Sequence, residues 1–158
     1  MAEHMQDQIL AAVRNTLIQA NTLAGDRVRV EGVDLLSPDK APALEIEAGE
    51  ETVALIGNGL AGRRTQQREF RIEVRGVVAS NDDYRHQAGE LLAQVEEALN
   101  GPATTQVDVL VPDRIRLLGS RPESDGRGAQ IVYLMRSVWL CRYITTEGAP
   151  RAPVYPSH

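Results

Sequence analysis

The sequence predicts an α+β domain: a mixed, mainly antiparallel sheet flanked by two main helices, with an extended C-terminal arm. Three observations predict it. Residues 68–78 alternate, with Phe70, Ile72, Val74, Gly76 and Val78 on one side and Glu69, Arg71, Glu73 and Arg75 on the other, the period of a half-buried strand. Two stretches, 5–23 and 84–99, instead repeat apolar residues at three- and four-residue spacing, as an amphipathic helix does. Beyond residue 146, Pro150, Pro153 and Pro156 stand in a stretch without periodicity, which reads as an arm rather than core. We therefore place one domain at 1–146 and a Pro-rich tail at 147–158.

In the first helix Ile9, Leu10, Val13, Leu17 and Ile18 share a face, and Ala24-Gly25 is expected to end it. Val28 and Val30 then alternate with Arg27, Arg29 and Glu31 in a short strand. The prolines of Ser37-Pro38-Asp39-Lys40-Ala41-Pro42 remove backbone donors and make a turn. Leu44, Ile46 and Ala48 alternate with Glu45 and Glu47, giving a strand with one acidic face; 51–56 reads as a shorter strand of its own. Residues 57–67, rich in Gly, Arg and Gln, read as a long polar loop, and such loops tend to be functional.

The strand at 68–78 feeds a helix whose expected start is a capping box, Ser80 with Asp83. Tyr84, Ala88, Leu91, Leu92, Val95, Ala98 and Leu99 form its apolar face, and Asn100-Gly101-Pro102 stops it. Val107, Val109 and Val111 predict another strand, resumed by Ile115 and Leu117, before a polar loop at 119–128. The last strand, 130–145, is apolar on both sides and reads as a covered strand. Unbroken, it would span roughly 50 Å, more than the ~40 Å diameter of a globule this size. It is therefore expected to bend or to project and pair elsewhere, which points to self-assembly.

At 158 residues the chain can bury a single core. No apolar run approaches the ~20 residues of a membrane span, and Met1 to Met5 lacks the basic and apolar regions of a signal peptide. A sole cysteine, Cys141, permits no intramolecular disulfide. The net charge of −5 argues against a nucleic-acid binder held by counterion release.

Gly57-Asn58-Gly59-Leu60-Ala61-Gly62 formally matches a dinucleotide fingerprint, but the chemistry needs a helix after the third glycine. Here Arg63-Arg64-Thr65-Gln66-Gln67-Arg68 and a strand follow instead. His4, His86 and His158 show no metal-ligand spacing, Cys141 sits in the most apolar strand, and no nucleophile elbow is present. We therefore expect no catalytic residue, cofactor or metal. The alternating signs of Glu69, Arg71, Glu73 and Arg75 suit cross-strand or intersubunit pairing, or a plain solvated face. Arg63, Arg64 and Arg68 suit protein carboxylates better than phosphate in so acidic a chain. Trp139 and Tyr133 are core residues or interface anchors.

The order of elements resembles the tail terminator (minor tail protein U-like) proteins of long-tailed bacteriophages and prophages. The resemblance lies in the opening helix ending in Ala24-Gly25-Asp26-Arg27-Val28, the short strand Pro42-Ala43-Leu44-Glu45-Ile46, and the strand Arg68-Glu69-Phe70-Arg71-Ile72-Glu73-Val74. The helix from Leu91 to Leu99 and a closing strand ending in Arg142-Tyr143 complete it, over residues 5–146. It implies a structural virion protein, not an enzyme: a hexameric ring that caps the tail tube, ends its polymerisation and presents the head-joining surface. Implied partners are further copies of the chain, the tube protein and a head-completion or neck protein, with DNA passing through unbound and no membrane.

On that reading Arg63, Arg64, Gln67, Arg68, Arg71, Glu73, Arg75, Arg136, Trp139 and Arg142 belong to subunit or tube contacts. Pro150, Pro153 and Tyr155 of the arm meet a neighbour or the head-side partner. A neck or tail-tube protein is the alternative within virion assembly. Outside it, the alternative is a cellular α+β domain holding an anion or nucleotide at the glycine-rich loop.

Overall fold

The structure, a computed structural model, describes residues 4–31, 40–58, 64–79, 83–101, 107, 110–111, 115–123 and 131–153. Among them the elements run α1 (Met5–Gln19), β1 (Val28–Val30), β2 (Ala43–Asn58), β3 (Arg64–Ala79), α2 (Tyr84–Asn100), β4 (Arg116–Glu123), β5 (Ile131–Thr146) and β6 (Ala149–Pro153). The strands form one mixed sheet ordered β1-β2-β3-β5-β4, with β6 added to β5. Only β1 and β2 pair in parallel; every other described pairing is antiparallel. The α+β architecture expected from the sequence is therefore present.

Both helices lie on the same face of the sheet, because most of the large apolar side chains of the strands point there. Leu44 and Ile46 of β2, Phe70, Ile72 and Val74 of β3, and Trp139, Cys141 and Tyr143 of β5 are buried with Ile9, Val13 and Leu17 of α1 and Leu91, Val95 and Leu99 of α2. Each of these larger side chains contributes about 1.5–3 kcal/mol by leaving water. Gly76 leaves room for α2 to seat on β3: a Cβ there would lie 3.0 Å from Leu91 Cδ2. Trp139, fully buried, donates from Nε1 to Ser137 Oγ (2.9 Å), which donates in turn to the Val74 carbonyl (3.3 Å). Its place in the core corrects the interface role that the resemblance gave it.

The helix ends differ in detail from the expected ones. α1 stops at Gln19 rather than near Leu23, because Asn21 takes a positive φ of 53°, a conformation that breaks helical bonding and that Asn tolerates better than most residues. Its N-cap is His4, whose Nδ1 accepts from the Gln6 amide (3.1 Å). In α2 Asp83 is the N-cap and makes no side-chain capping bond; Ser80, the other half of the expected box, lies outside the described residues.

Strand content exceeds what alternation predicts. Residues 51–56 are no separate strand but the continuation of β2 past a bulge between Ala48 and Glu51. Gly49 sits in that bulge, where a Cβ would come within 2.9 Å of the Arg71 carbonyl oxygen. The polar stretch 57–67 is mostly strand too, since β2 runs to Asn58 and β3 starts at Arg64; 59–63, with the remaining glycines of the fingerprint and Arg63, lie outside the described residues. In the stretch 107–111 the described residues form a helical turn and not a strand: Val107 and Leu110 are helical, and the Val111 amide donates to the Val107 carbonyl (2.8 Å); Val109 lies outside the described residues. The expected polar loop at 119–128 begins as strand, because β4 extends to Glu123.

The expectation that the last strand projects for want of a partner is also corrected. β5 is matched along its length by β3, from Thr65↔Thr146 to Ala79↔Ile131, and flanked on its other side by β4 and β6. Nor does the chain leave the domain at Thr146. Gly148, with φ of +82°, turns it back into β6, and the Arg151 carbonyl accepts from Gln8 Nε2 of α1 (3.1 Å). Within the arm, at least Ala149–Pro153 belongs to the sheet; Tyr155 lies outside the described residues.

Candidate assembly interface

The helices cover one face of the sheet; on the other, the open face, Ala43 and Val77 are buried at one end and the rest is largely charged. Strand alternation puts on the open face Arg29 of β1, Glu45 and Glu47 of β2, Glu69, Arg71, Glu73 and Arg75 of β3, Arg136 and Arg142 of β5, and Arg116 and Arg121 of β4. Arginines outnumber glutamates there, although the chain as a whole is acidic. Val138, Leu140 and Ile144 run between the charges along β5, and the aliphatic stems of the arginines lie over this apolar strip: Arg136 and Arg75 keep only 14% and 17% of their side-chain surface exposed.

Cross-strand register creates a conflict that the long side chains resolve. Glu47 stands opposite Glu73, and Arg75 opposite Arg136, and like charges directly across a sheet repel. The arginines therefore reach diagonally: Arg75 to Glu47 (2.8 Å) and Glu73 (3.5 Å), and Arg136 to Glu73 (3.5 Å). Arg29 pairs with Glu45, and Arg142 with Glu69 (3.1 Å), to which Gln67 Nε2 also donates (3.5 Å). Half-exposed pairs of this kind stabilise by at most about 1 kcal/mol each. Their main effect is to hold a patterned surface in one geometry. Arg71, Arg116 and Arg121 are exposed on the same face.

A second cluster lies on the helix side, where β2, β3 and β5 run on past the core. Arg68 Nη1 pairs with Glu51 Oε2 (3.0 Å), Nε donates to Thr145 Oγ1 (2.9 Å), and Nη2 donates to Gln66 Oε1 (3.2 Å). The Tyr143 hydroxyl donates to the other Glu51 oxygen. Arg68 and Glu51 are 14% and 10% exposed. Burial, with the Glu51 carboxylate beside it, pushes the Tyr143 hydroxyl well above the usual phenol range. Past this knot the far end of β2 exposes Val53, Leu55 and Ile56.

The arrangement separates the residues assigned from the sequence. Gln67, Arg71, Glu73, Arg75, Arg136 and Arg142 share the open face. Arg68 points to the opposite face and works inside the chain. Arg64 is exposed and lies 3.8 Å from Glu147, while Pro150 is half-buried in β6. Sequence reasoning missed Glu51, Tyr143 and Thr145 as one cluster, and it missed Arg116 and Arg121 as part of the charged face.

Among the described residues no group of three or more His, Cys, Asp or Glu is placed to hold a metal, and no helix is long and apolar enough to cross a membrane. A shallow cavity lined by Asp26, Arg27, Arg29 and Lys40 lies beside β1; its arginines are engaged, Arg27 with the Leu23 and Pro42 carbonyls and Arg29 with Glu45. Comparison of the chain with models of protein families and with curated proteins finds no match.

Proposed function

We propose that the chain is a structural subunit that assembles with copies of itself into a ring, and that the ring caps the tail tube of a phage or prophage and joins it to the head. One observation carries the self-assembly part. The far half of β2 presents Val53, Leu55 and Ile56 to solvent on a strand whose outer edge no described strand covers, and a lone protein seldom leaves such an edge uncovered. An open face of ordered charges without a catalytic cluster supports a scaffold rather than an enzyme. The tail assignment, the hexameric ring number and the neighbouring tube and neck proteins rest on the resemblance in layout.

In physical terms a cap needs a head-to-tail lateral contact closed around an axis, and two unlike rims. Native mass spectrometry and negative-stain imaging of the purified chain test the ring; adding it to polymerising tail tubes tests the cap. Rings of defined number that halt elongation are expected. A compact monomer at high concentration, without effect on tube length, overturns the reading.

A further inference from the structure

We propose that the free edge of β2 beyond Ala48 pairs with the free edge of β4 in a second copy of this chain, head to tail. The inference rests on the ring reading above and names the contact that closes it.

The first support is where the apolar surface lies. Val53, Leu55 and Ile56 on β2 and Leu118 on β4 are 47–53% exposed; among the described residues Leu23 is the one other large hydrophobic in that state. These side chains thus gather on the two opposite borders of the sheet. Both borders also carry unpaired backbone. β1 covers β2 only from Leu44 to Ile46, and Glu31 extends the cover by donating its amide to the Ile46 carbonyl and accepting from the Ala48 amide. Past Ala48 no described strand lies outside β2, and β4 is bonded to β5 alone. Edges meant to stay unpaired usually carry lysine or proline; the β2 stretch from Gly49 to Asn58 has neither, and β4 has one proline, Pro122, beside its last residue.

The second support is sense and charge. β2 and β5 run one way and β3 and β4 the other, so β4 of one copy set beside β2 of the next continues the antiparallel alternation. The β2 stretch carries Glu50 and Glu51 and no basic residue, whereas β4 exposes Arg116 and Arg121. Glu50 and Arg121, both exposed and opposite in sign, therefore suit a β2-to-β4 contact.

The third support is closure. Along β3, Val53 of the free β2 stretch is level with Arg68, whereas Leu117 and Ser120 of β4 are level with Ile72 and Val74 through β5. Joining the edges therefore staggers successive copies by four to six β3 positions, about 14–20 Å. The stagger is even, so helix-facing residues stay level with helix-facing residues. Four inter-strand steps from β2 to the next β2 cover about 19 Å. The ratio inclines the strands by roughly 35–46° to the ring axis, close to the 35–45° at which closed sheets settle. At the shorter stagger Val53 meets Leu117 and Glu50 comes opposite Arg121; at the longer one Leu55 meets Leu117.

The test uses the full chain and a short bis-maleimide. Mixed single variants Val53→Cys and Leu118→Cys are expected to give cross-linked dimers, either variant alone none, and both changes in one chain a ladder ending at the ring number. The natural Cys141 is fully buried, and unchanged Trp139 emission confirms that each variant is folded. Glu50→Arg and Arg121→Glu are each expected to lose the ring, and the two together in one chain to restore it. Rings without cross-links between these edges overturn the edge contact and leave the ring reading standing. Cross-linking of Val53→Cys alone shows a two-fold contact and overturns the head-to-tail arrangement. Failure to assemble at any concentration removes both.

Discussion

Arg68→Met tests whether the knot on the helix side holds the far end of the sheet. The change keeps most of the aliphatic stem and removes the charge that meets Glu51, Thr145 and Gln66. Deleting one partner of a fully buried ion pair costs about 3–5 kcal/mol. With Arg68 and Glu51 still 14% and 10% exposed, and Tyr143 still donating to Glu51, we expect about 2–4 kcal/mol. For a chain of this length that lowers Tm by roughly 5–15 °C. Urea unfolding followed by emission of the sole, buried tryptophan, Trp139, measures it. Arg142→Met is the control: it breaks a pair with Glu69 whose members are 31% and 38% exposed, expected to cost no more than about 1 kcal/mol. Equal losses in the two variants would refute the claim that the knot is desolvated.

Three further outcomes follow from the same physics. Burial pushes the Cys141 thiol up to about 12 from its usual 9.0; the native chain should therefore resist thiol reagents at pH 8 and react only on unfolding. Because the folded state disfavours the thiolate, its contribution is intact below pH 9 and lost as pH rises towards 12. Cys141→Ala should flatten that part of the stability profile, by up to about 1.4 kcal/mol per pH unit, while the raised Tyr143 hydroxyl keeps a weaker slope above pH 10. Gly76→Val forces a side chain against Leu91 and should cost about 1–3 kcal/mol by overpacking, read from the urea midpoint. His4→Ala removes the acceptor that caps α1 and should cost about 0.5–2 kcal/mol, seen as loss of helical ellipticity on mild heating.

Where one face of an element is buried, the sequence is easy to read. Phe70, Ile72 and Val74 alternate because one side of β3 meets helices, and Leu91, Val95 and Leu99 repeat because one stripe of α2 meets that side. The same alternation marked Arg71, Glu73 and Arg75 as one charged face before any strand order was known. Legibility fails where both faces are wet. Arg64 to Gln67 are strand residues whose neighbours impose no polarity pattern, so the start of β3 reads as a loop, and 51–56 reads as a separate strand rather than the far half of β2. Val107 and Val111 mislead in the opposite way, being β-branched residues held at a helical turn by their tertiary burial. Arg68 and Glu51 meet only because a bulge at Gly49 and Glu50 sets the register between β2 and β3, and no local spacing announces a bulge. The borders of the sheet are illegible for a related reason, since strand order depends on which long-range pairings win.

The hairpin that returns through Gly148 to meet Gln8 has a practical corollary. It brings the first helical turn and the final described strand to one pole of the molecule, the pole where β2 ends and β3 begins. A fluorescent domain or gold label fused ahead of His4 or behind Pro153 would thus mark the same side of any assembly. In electron micrographs, labels at the two positions should decorate one circular border, and the unlabelled border would then be identified by exclusion.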